Sequence, residues 1–256
     1  MIAKIIDNLK TLLIALFIAI IIRSLLFQPF YIPSSSMEPT LLVGDRIFVS
    51  KYTYGYSKHS FPFSPPILNK RIFSSEPKYG DLIVFKTPSD NRTDFIKRLI
   101  GLPGDKIQIK DGGISINDQA VVTADAGIFV ETYAPQGPFR SQPRCSNNPR
   151  KFGEDCEKFR LKSTLPDGRT FFNLDTFKGE NIGNSIYNVP SGHYFFIGDN
   201  RDNSLDSRIG QVQGGVGFVP YENLVGRADR VMFSSAGRSM LFFWTWRSDR
   251  FFKAIR

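Results

Sequence analysis

The feature that most constrains the fold is an apolar run near the N-terminus, which contains no charged residue from Thr11 to Ile22. Extended to Phe27, the run covers 17 residues, the lower end of the length range for a membrane-spanning helix. Arg23 lies near its end, where a long basic side chain can snorkel to the interface. We therefore predict a transmembrane anchor over residues 11–28 that is ended by Pro29.

A cleaved signal peptide is the alternative interpretation, because Lys4 and Lys10 give the segment a basic start. No Ala-x-Ala pair of small residues follows before Ser36, which favours an uncleaved anchor. The basic flank predicts that residues 1–10 stay in the cytoplasm and that residues 29–256 are exported.

Beyond the anchor, the hydrophobic periodicity is that of strands. The segments are short, rich in β-branched or aromatic residues and bounded by Gly, Pro, Asp or Asn, so we predict a mainly β fold for the exported part. The predicted strands are 46–49, 81–85, 95–100, 106–109, 113–116, 194–197 and 224–233. The glycines between the fourth and fifth of these predict a hairpin.

Residues 118–190 are polar and rich in Pro and Gly. We interpret them as an insertion between core strands, either a small second β domain or long loops. Cys145 and Cys156, the two cysteines of the chain, both lie in it. In an oxidising compartment they are expected to form a disulfide, which would stabilise the insertion by roughly 3 kcal/mol. Two independent buried cysteines are the alternative.

The formal net charge is +9, but basic residues are scattered among acidic ones except at the C-terminal end. This is not the block pattern of a nucleic-acid-binding arm, so we expect no nucleic-acid partner. The tail over residues 238–256 interleaves large aromatic and basic residues, which is typical of an interfacial segment on anionic lipid. A final strand or helix packed on the core is the alternative.

Three consecutive serines, Ser34 to Ser36, lie between Pro33 and Pro39. Because the prolines restrict the backbone, we expect these serines on a stiff, non-helical segment that could present a nucleophile. A solvated linker would have the same composition, so the chemistry depends on a base elsewhere in the chain.

Neither histidine has local support as that base: His59 lies in a loop and His193 opens a strand. Lys97 is the other candidate, since strand alternation places it on one face with Phe95 and Leu99. Desolvation there disfavours the charged amine, and lowering a lysine pKa to about 7 or 8 takes roughly 3 to 4.5 kcal/mol. Lys97 could instead snorkel outward. The cysteines and histidines fit no metal-ligand spacing, so we expect no metal.

In order along the chain, four segments together resemble the bacterial type I signal peptidases, which are membrane-anchored Ser/Lys endopeptidases. The matching segments are Ser34-x-Ser36-Met37-x-Pro39-Thr40-Leu41, Gly80-Asp81-x-Ile83-Val84-Phe85, Phe95-Ile96-Lys97-Arg98-x-x-Gly101-x-Pro103-Gly104-Asp105 and Gly198-Asp199-Asn200-Arg201-Asp202-Asn203-Ser204-x-Asp206-Ser207-Arg208.

The resemblance implies a nucleophile at Ser36, a general base at Lys97 and an oxyanion hydroxyl at Ser34. It implies supporting roles for Ser204, Asp206 and Arg208. It also implies that pockets for small substrate residues are lined by Ile32, Met37, Leu41, Phe95 and Ile96. Phe95 and Ser35 depart from the common tyrosine and glycine of the family, which affects pocket shape but not the proposed chemistry.

The expected function is removal of signal peptides from exported proteins by cleavage after small residues, without a cofactor. The expected location is the bacterial inner membrane, with the catalytic domain on the outer side and with signal peptides and membrane lipid as partners. Two alternatives remain at this point. One is a peptidase dedicated to a single exported or conjugative protein, and the other is a catalytically silent anchored β module that binds peptides.

Overall fold

The structure, a computed structural model, describes residues 2–176, 184–237 and 240–255. These residues form one α-helix, several single helical turns and fourteen strands. In chain order the elements are α1 (Ile2–Ile21), β1 (Phe27–Tyr31), β2 (Asp45–Ser50), β3 (Leu82–Lys86), β4 (Asp94–Gly101), β5 (Lys106–Lys110), β6 (Gly113–Ile116), β7 (Gln119–Ala120), β8 (Val122–Thr132), β9 (Asp155–Thr164), β10 (Thr170–Asp175), β11 (Ser185–Asn188), β12 (His193–Ile197), β13 (Val219–Pro220) and β14 (Leu224–Ser234).

The N-terminal helix α1 continues through a π-helical turn over Ile22–Leu26. The segment Lys4–Leu26 is long and apolar enough to cross a membrane, and its side chains are almost entirely exposed. The helix begins well before residue 11, because isolated polar residues do not interrupt a helical pattern. Pro29 does not end it, contrary to the prediction, since β1 already begins at Phe27.

The main sheet has seven strands in the order β1-β2-β14-β3-β4-β12-β13, with every neighbouring pair antiparallel. β1 lies at its edge and pairs with β2 from Phe27 opposite Ser50 to Tyr31 opposite Arg46. An edge strand tolerates Pro29 because one side of the strand needs no ladder hydrogen bond. The chain therefore passes from the apolar helix straight into the sheet.

Two smaller sheets lie between β4 and β12 in sequence, one ordered β11-β5-β6-β7 and the other β10-β9-β8. The predicted hairpin is present as β5 and β6, with the left-handed residues Asp111 and Gly112 at its turn. It pairs with β11 in the first small sheet, so the added region begins before residue 118. Periodicity predicts a strand but not which sheet the strand joins. Residues 177–183 of the predicted insertion lie outside the described residues.

Three buried apolar clusters hold these layers together. One lies between the main sheet and the first small sheet and includes Ile100, Ile107 and Phe195. A second lies beneath the serine segment and includes Met37, Leu41 and Val84. Burial of aliphatic side chains stabilises by roughly 1.5–3 kcal/mol for each one fully removed from water. The prediction of a mainly β fold with one apolar N-terminal helix is confirmed.

The structure joins Cys145 and Cys156 in a disulfide between a loop and β9. The C-terminal tail forms two 3-10 turns, Phe243–Thr245 and Ser248–Arg250, and the second of them docks on β14. A buried pair between Arg250 and Asp45 holds it there. Residues 238, 239 and 256 of the predicted tail lie outside the described residues.

Candidate active site

The serine segment follows β1 directly. Ser34 is extended, but Ser35–Met37 form a single 3-10 turn, so the expected non-helical backbone is wrong for Ser35 and Ser36. A proline restricts itself and the residue before it, and this leaves Ser35 and Ser36 free to adopt a helical turn between the two prolines. Glu38, which precedes Pro39, is extended as that restriction requires.

Lys97 meets the serine turn from β4. Its Nζ lies 2.6 Å from Ser36 Oγ, and both side chains are buried. The ring of Phe95 is 5.4 Å from the same nitrogen, measured to its centroid. Strand alternation thus places the amine among apolar groups, as predicted. A neutral amine at this distance can accept the serine proton.

Burial lowers the pKa of Lys97 to about 8, although the charges of Asp206 and Asp199 act in the opposite direction. Each of these carboxylates already forms an ion pair with an arginine. Lys97 forms no ion pair within the described part of the chain, so the loss of solvation dominates.

Ser34 Oγ lies 3.5 Å from Ser36 Oγ, and its residue is exposed at the surface. A second hydroxyl beside the first can donate a hydrogen bond to an oxygen bound next to Ser36 Oγ. The geometry therefore brings Ser34, Ser36 and Lys97 together, with Ser34 exposed and the other two side chains buried.

The loop between β12 and β13 packs against the serine turn. The Asn200 amide nitrogen donates to Ser36 O over 3.1 Å, and the Asn203 side chain donates to Ser35 Oγ over 2.7 Å. A Cβ on Gly198 would lie 2.7 Å from Ser36 O and 2.1 Å from Ser204 Oγ. Only glycine allows this approach.

Asp206 and Arg208 form the predicted pair, with two parallel bonds of 2.8 Å. Burial acts to raise the pKa of Asp206, but the charge and hydrogen bonds of Arg208 hold it below its usual value. Asp206 also accepts from the Gly198 amide over 2.9 Å. The Ser204 hydroxyl is buried nearby and makes no hydrogen bond to Lys97 Nζ in the described part of the structure.

A second buried pair lies on the other face of β4. The Arg98 guanidinium makes two bonds of 2.7 Å to the Asp199 carboxylate, and Thr40 Oγ1 donates to the same carboxylate over 2.5 Å. Sequence reasoning assigned no role to these residues. The sequence places Arg98 and Asp199 in two separate motifs 101 residues apart, and spacing along the chain does not show that these motifs meet.

A third charged group connects the serine turn to the inserted strands. Glu38 Oε2 lies 2.7 Å from Lys158 Nζ on β9, and Lys158 also pairs with Glu131 on β8. Glu38 and Lys158 are almost completely buried. Burial raises the pKa of Glu38 to about 7, while the two carboxylates raise the pKa of Lys158 against the effect of its own burial. Nothing in the sequence around Lys158 distinguishes it from other strand lysines.

The residues expected to line substrate pockets divide into two groups. Ile32, Met37 and Leu41 are buried in the cluster beneath the serine turn. Phe95 and Ile96 are half-buried on β4 next to Lys97. The histidines lie elsewhere: His59 bonds to Ser64, and His193 to the Ser191 carbonyl.

Comparison with known proteins agrees with the sequence resemblance. Residues 5–233 match the family model described as "Signal peptidase, peptidase S26". Signal peptidase I of Rickettsia typhi is 40% identical over 230 residues, which cover 85% of this chain and 76% of that protein. The corresponding protein of Rickettsia bellii is 40% identical over 235 residues, covering 88% and 72%.

A solved structure also matches, the crystal structure of a signal peptidase I from Enterococcus faecalis V583. It is 25% identical, covers 60% of this chain and 97% of its own, and has a TM-score of 0.31. The chain belongs to the signal peptidase family, the S26 serine endopeptidases that remove signal peptides.

Proposed function

We propose that this enzyme cleaves signal peptides with a Ser36 nucleophile and a Lys97 general base. The observation that carries the proposal is the 2.6 Å separation of Lys97 Nζ and Ser36 Oγ in a buried setting that lowers the lysine pKa to about 8. A serine hydroxyl is a weak nucleophile until an adjacent base takes its proton.

In the proposed first step, Ser36 Oγ bonds to the scissile carbonyl carbon while Lys97 accepts the hydroxyl proton. The Ser34 hydroxyl donates to the developing oxyanion. Collapse of the intermediate breaks the peptide C–N bond, and Lys97 returns the proton to the leaving amine. A water molecule, activated by the neutral amine, then hydrolyses the acyl-enzyme and regenerates Ser36.

The proposed substrate is an extended peptide with small residues one and three positions before the cut. β12 pairs with β4 only at Arg98, Leu99 and Gly101, which leaves the stretch from Asp94 to Lys97 unpaired on that side within the described residues. A substrate strand can add there beside Lys97, with alternate side chains entering pockets next to Phe95 and Ile96. In this proposal the floors of the pockets are formed by three residues of the cluster beneath the serine turn, Ile32, Met37 and Leu41.

The proposed topology has residues 1–10 in the cytoplasm, the apolar helix across the inner membrane and the sheets on the outer side. The short connection supports it, because the edge strand β1 leads from the helix to the serine turn without an intervening domain. The cleavage site would then lie near the outer bilayer face, where a signal peptide emerges.

Turnover of a chromogenic Ala-x-Ala peptide tests the mechanism. Ser36→Ala and Lys97→Met should each abolish turnover while circular dichroism and melting temperature stay unchanged, and Lys110→Met on an exposed strand end serves as the matched control. If Lys97→Met kept a tenth of the original kcat/KM, Lys97 would not be the base.

A further inference from the structure

A cavity of about 550 Å³ lies at the junction of the membrane helix and the main sheet. Its wall is formed by the π-helical turn through Arg23, by β1 and by the loops around Lys58 and Arg92. Ser36 and Lys97 do not line it, so it is separate from the proposed active site. The volume is within the range of small-molecule sites.

The two carboxylates in this wall are already satisfied. Asp94 forms an ion pair of 2.9 Å with Lys86. Asp90 accepts hydrogen bonds from its own loop, including the Thr87 hydroxyl at 2.5 Å and the Arg92 amide at 2.8 Å. Neither carboxylate is therefore available to neutralise the other basic side chains of the cavity.

Those side chains belong to Arg23, Lys58 and Arg92. None of the three makes a hydrogen bond or an ion pair through its charged group within residues 2–176, 184–237 and 240–255. Three uncompensated cations around one cavity make it attractive to an anion. Two of them are guanidinium groups, which suit phosphate oxygens because they donate in pairs.

His59 supplies a second, independent observation. It lines the same cavity and is only 5% exposed. Its Nδ1 lies 3.0 Å from Ser64 Oγ, while its buried Nε2 has no partner among the described residues. Burial, with the nearby charge of Lys58, lowers the His59 pKa to about 4, so the ring is neutral. When Ser64 donates to Nδ1, Nε2 carries a proton and is a donor without an acceptor.

The surroundings indicate an amphiphilic ligand. Phe63 also lines the cavity and is fully exposed, with Phe61 and Pro62 next to it. Arg23 lies within the segment that is apolar enough to cross a membrane, close to its end. A basic site with an exposed aromatic side chain at this level would meet phosphate groups and acyl chains together.

We propose that this cavity binds the phosphate headgroup of an anionic phospholipid, held by Arg23, Lys58 and Arg92, with Phe63 against the lipid chains. The proposal rests on the membrane anchoring proposed above. It would fix the rotation of the sheets about the membrane helix and so present the serine turn to the bilayer in one orientation.

Native mass spectrometry of the full chain in a neutral detergent tests this. Phosphatidylglycerol should bind in preference to phosphatidylcholine. The double variant Lys58→Ala/Arg92→Ala should weaken phosphatidylglycerol binding about 10- to 30-fold, since each basic residue near an anionic headgroup contributes a few-fold. Lys110→Ala/Lys162→Ala removes the same charge from two exposed strand positions and should leave binding unchanged.

Two results would overturn the proposal: equal binding of both lipids, or equal losses in the two double variants. Inorganic phosphate separates a lipid site from a site for a soluble anion. If inorganic phosphate competes at concentrations comparable to that of the lipid, the cavity binds free phosphate and the lipid assignment is wrong. Ala-x-Ala turnover, measured on the same samples, should be unaffected in detergent, so a failure of the peptidase mechanism would be seen separately.

Discussion

At the scale of single residues, the site depends on keeping one lysine without a counter-ion. Asp199 and Asp206 both lie near enough to raise the Lys97 pKa, yet each already binds an arginine. Because the two carboxylates are paired with arginines, burial dominates the pKa of Lys97 and favours the neutral amine that a general base requires.

The pH dependence of catalysis follows from this arrangement. In the proposed mechanism Lys97 must be neutral to accept a proton, and burial brings its pKa from the usual 10.5 to about 8. We therefore expect kcat/KM for an Ala-x-Ala peptide to rise with pH, with a midpoint near 8. Arg208→Gln should move the midpoint upward, because the Asp206 charge would then act on Lys97 unopposed. A flat profile through this range would contradict the assignment.

Ser34 offers a second test at this scale. Ser34→Ala should lower kcat by about 10²- to 10³-fold with little change in KM, the effect expected from loss of one oxyanion donor. Ser34→Thr retains the hydroxyl and is the matched control, with most of the activity preserved. Steady-state kinetics on the same peptide give both values, and full activity of the alanine variant would remove Ser34 from the mechanism.

At the scale of elements, the inserted strands support the serine turn. β10 forms a parallel bridge with the loop through Asn200. Arg144, beside the disulfide, donates to the Asp202 carbonyl. Lys158 on β9 binds Glu38, two residues after Ser36. The insertion thus contacts both loops that surround Ser36, and we infer that it holds them in position.

Lys158→Met tests that role. It should lower the free energy of unfolding by about 3–5 kcal/mol, because removal of one partner leaves a buried charge uncompensated. Without Lys158 the Glu38 pKa rises further above its unfolded value, so protonation favours the folded state. The loss of unfolding free energy should be larger at pH 8 than at pH 5. A carboxyl group whose pKa is raised by folding stabilises the folded state while it is protonated, and that stabilisation disappears as the pH rises.

Urea denaturation at the two pH values measures this difference. Lys162→Met is the matched control, because Lys162 is exposed on the same strand. The double variant Glu38→Gln/Lys158→Met should recover part of the loss. Equal effects of Lys158→Met and Lys162→Met on the free energy of unfolding would show that the buried ion pair does not stabilise the serine turn.

At the scale of the whole molecule, the N-terminal helix and the C-terminal tail join the main sheet at strands that flank β2 on either side. The N-terminal helix enters at β1, and the tail docks on β14 through main-chain contacts between Arg230 and Ala254. Leu241, Phe243 and Trp244 remain 85%, 69% and 67% exposed. A docked segment that still exposes large apolar side chains is typical of a surface that contacts lipid.

We expect a chain truncated to residues 27–256, which keeps β1 whole, to sediment with anionic liposomes at low salt. Replacing Leu241, Phe243 and Trp244 with serine should remove most of that binding. Trp246 is left intact because its ring packs on Phe233 at 5.6 Å and holds the tail in place. The same change at the exposed Phe139 and Phe152 of the insertion is the control and should have no effect. Absence of binding by the truncated parent would refute a lipid-contacting surface.

The sequence by itself determined the features that depend on local order. Alternation of apolar residues indicated the strands of the main sheet, including the placement of Lys97 with Phe95, because a strand has a fixed two-residue period. The apolar run indicated the N-terminal helix, and the order of four motifs indicated the family. The strand and helix signals are each contained within a short stretch of neighbouring residues, whereas the four motifs are spread from Ser34 to Arg208 and are informative only through their order.

Only the tertiary structure decided which distant groups share a site. The bonds between Arg98 and Asp199 and between Lys158 and Glu38 join residues 101 and 120 positions apart. The hairpin of β5 and β6 lies in a different sheet from β4, the strand that precedes it. The helix ends before Pro29 because β1 already begins at Phe27. Charge pairing and sheet assignment depend on packing between elements, and spacing along the chain contains no measure of that packing.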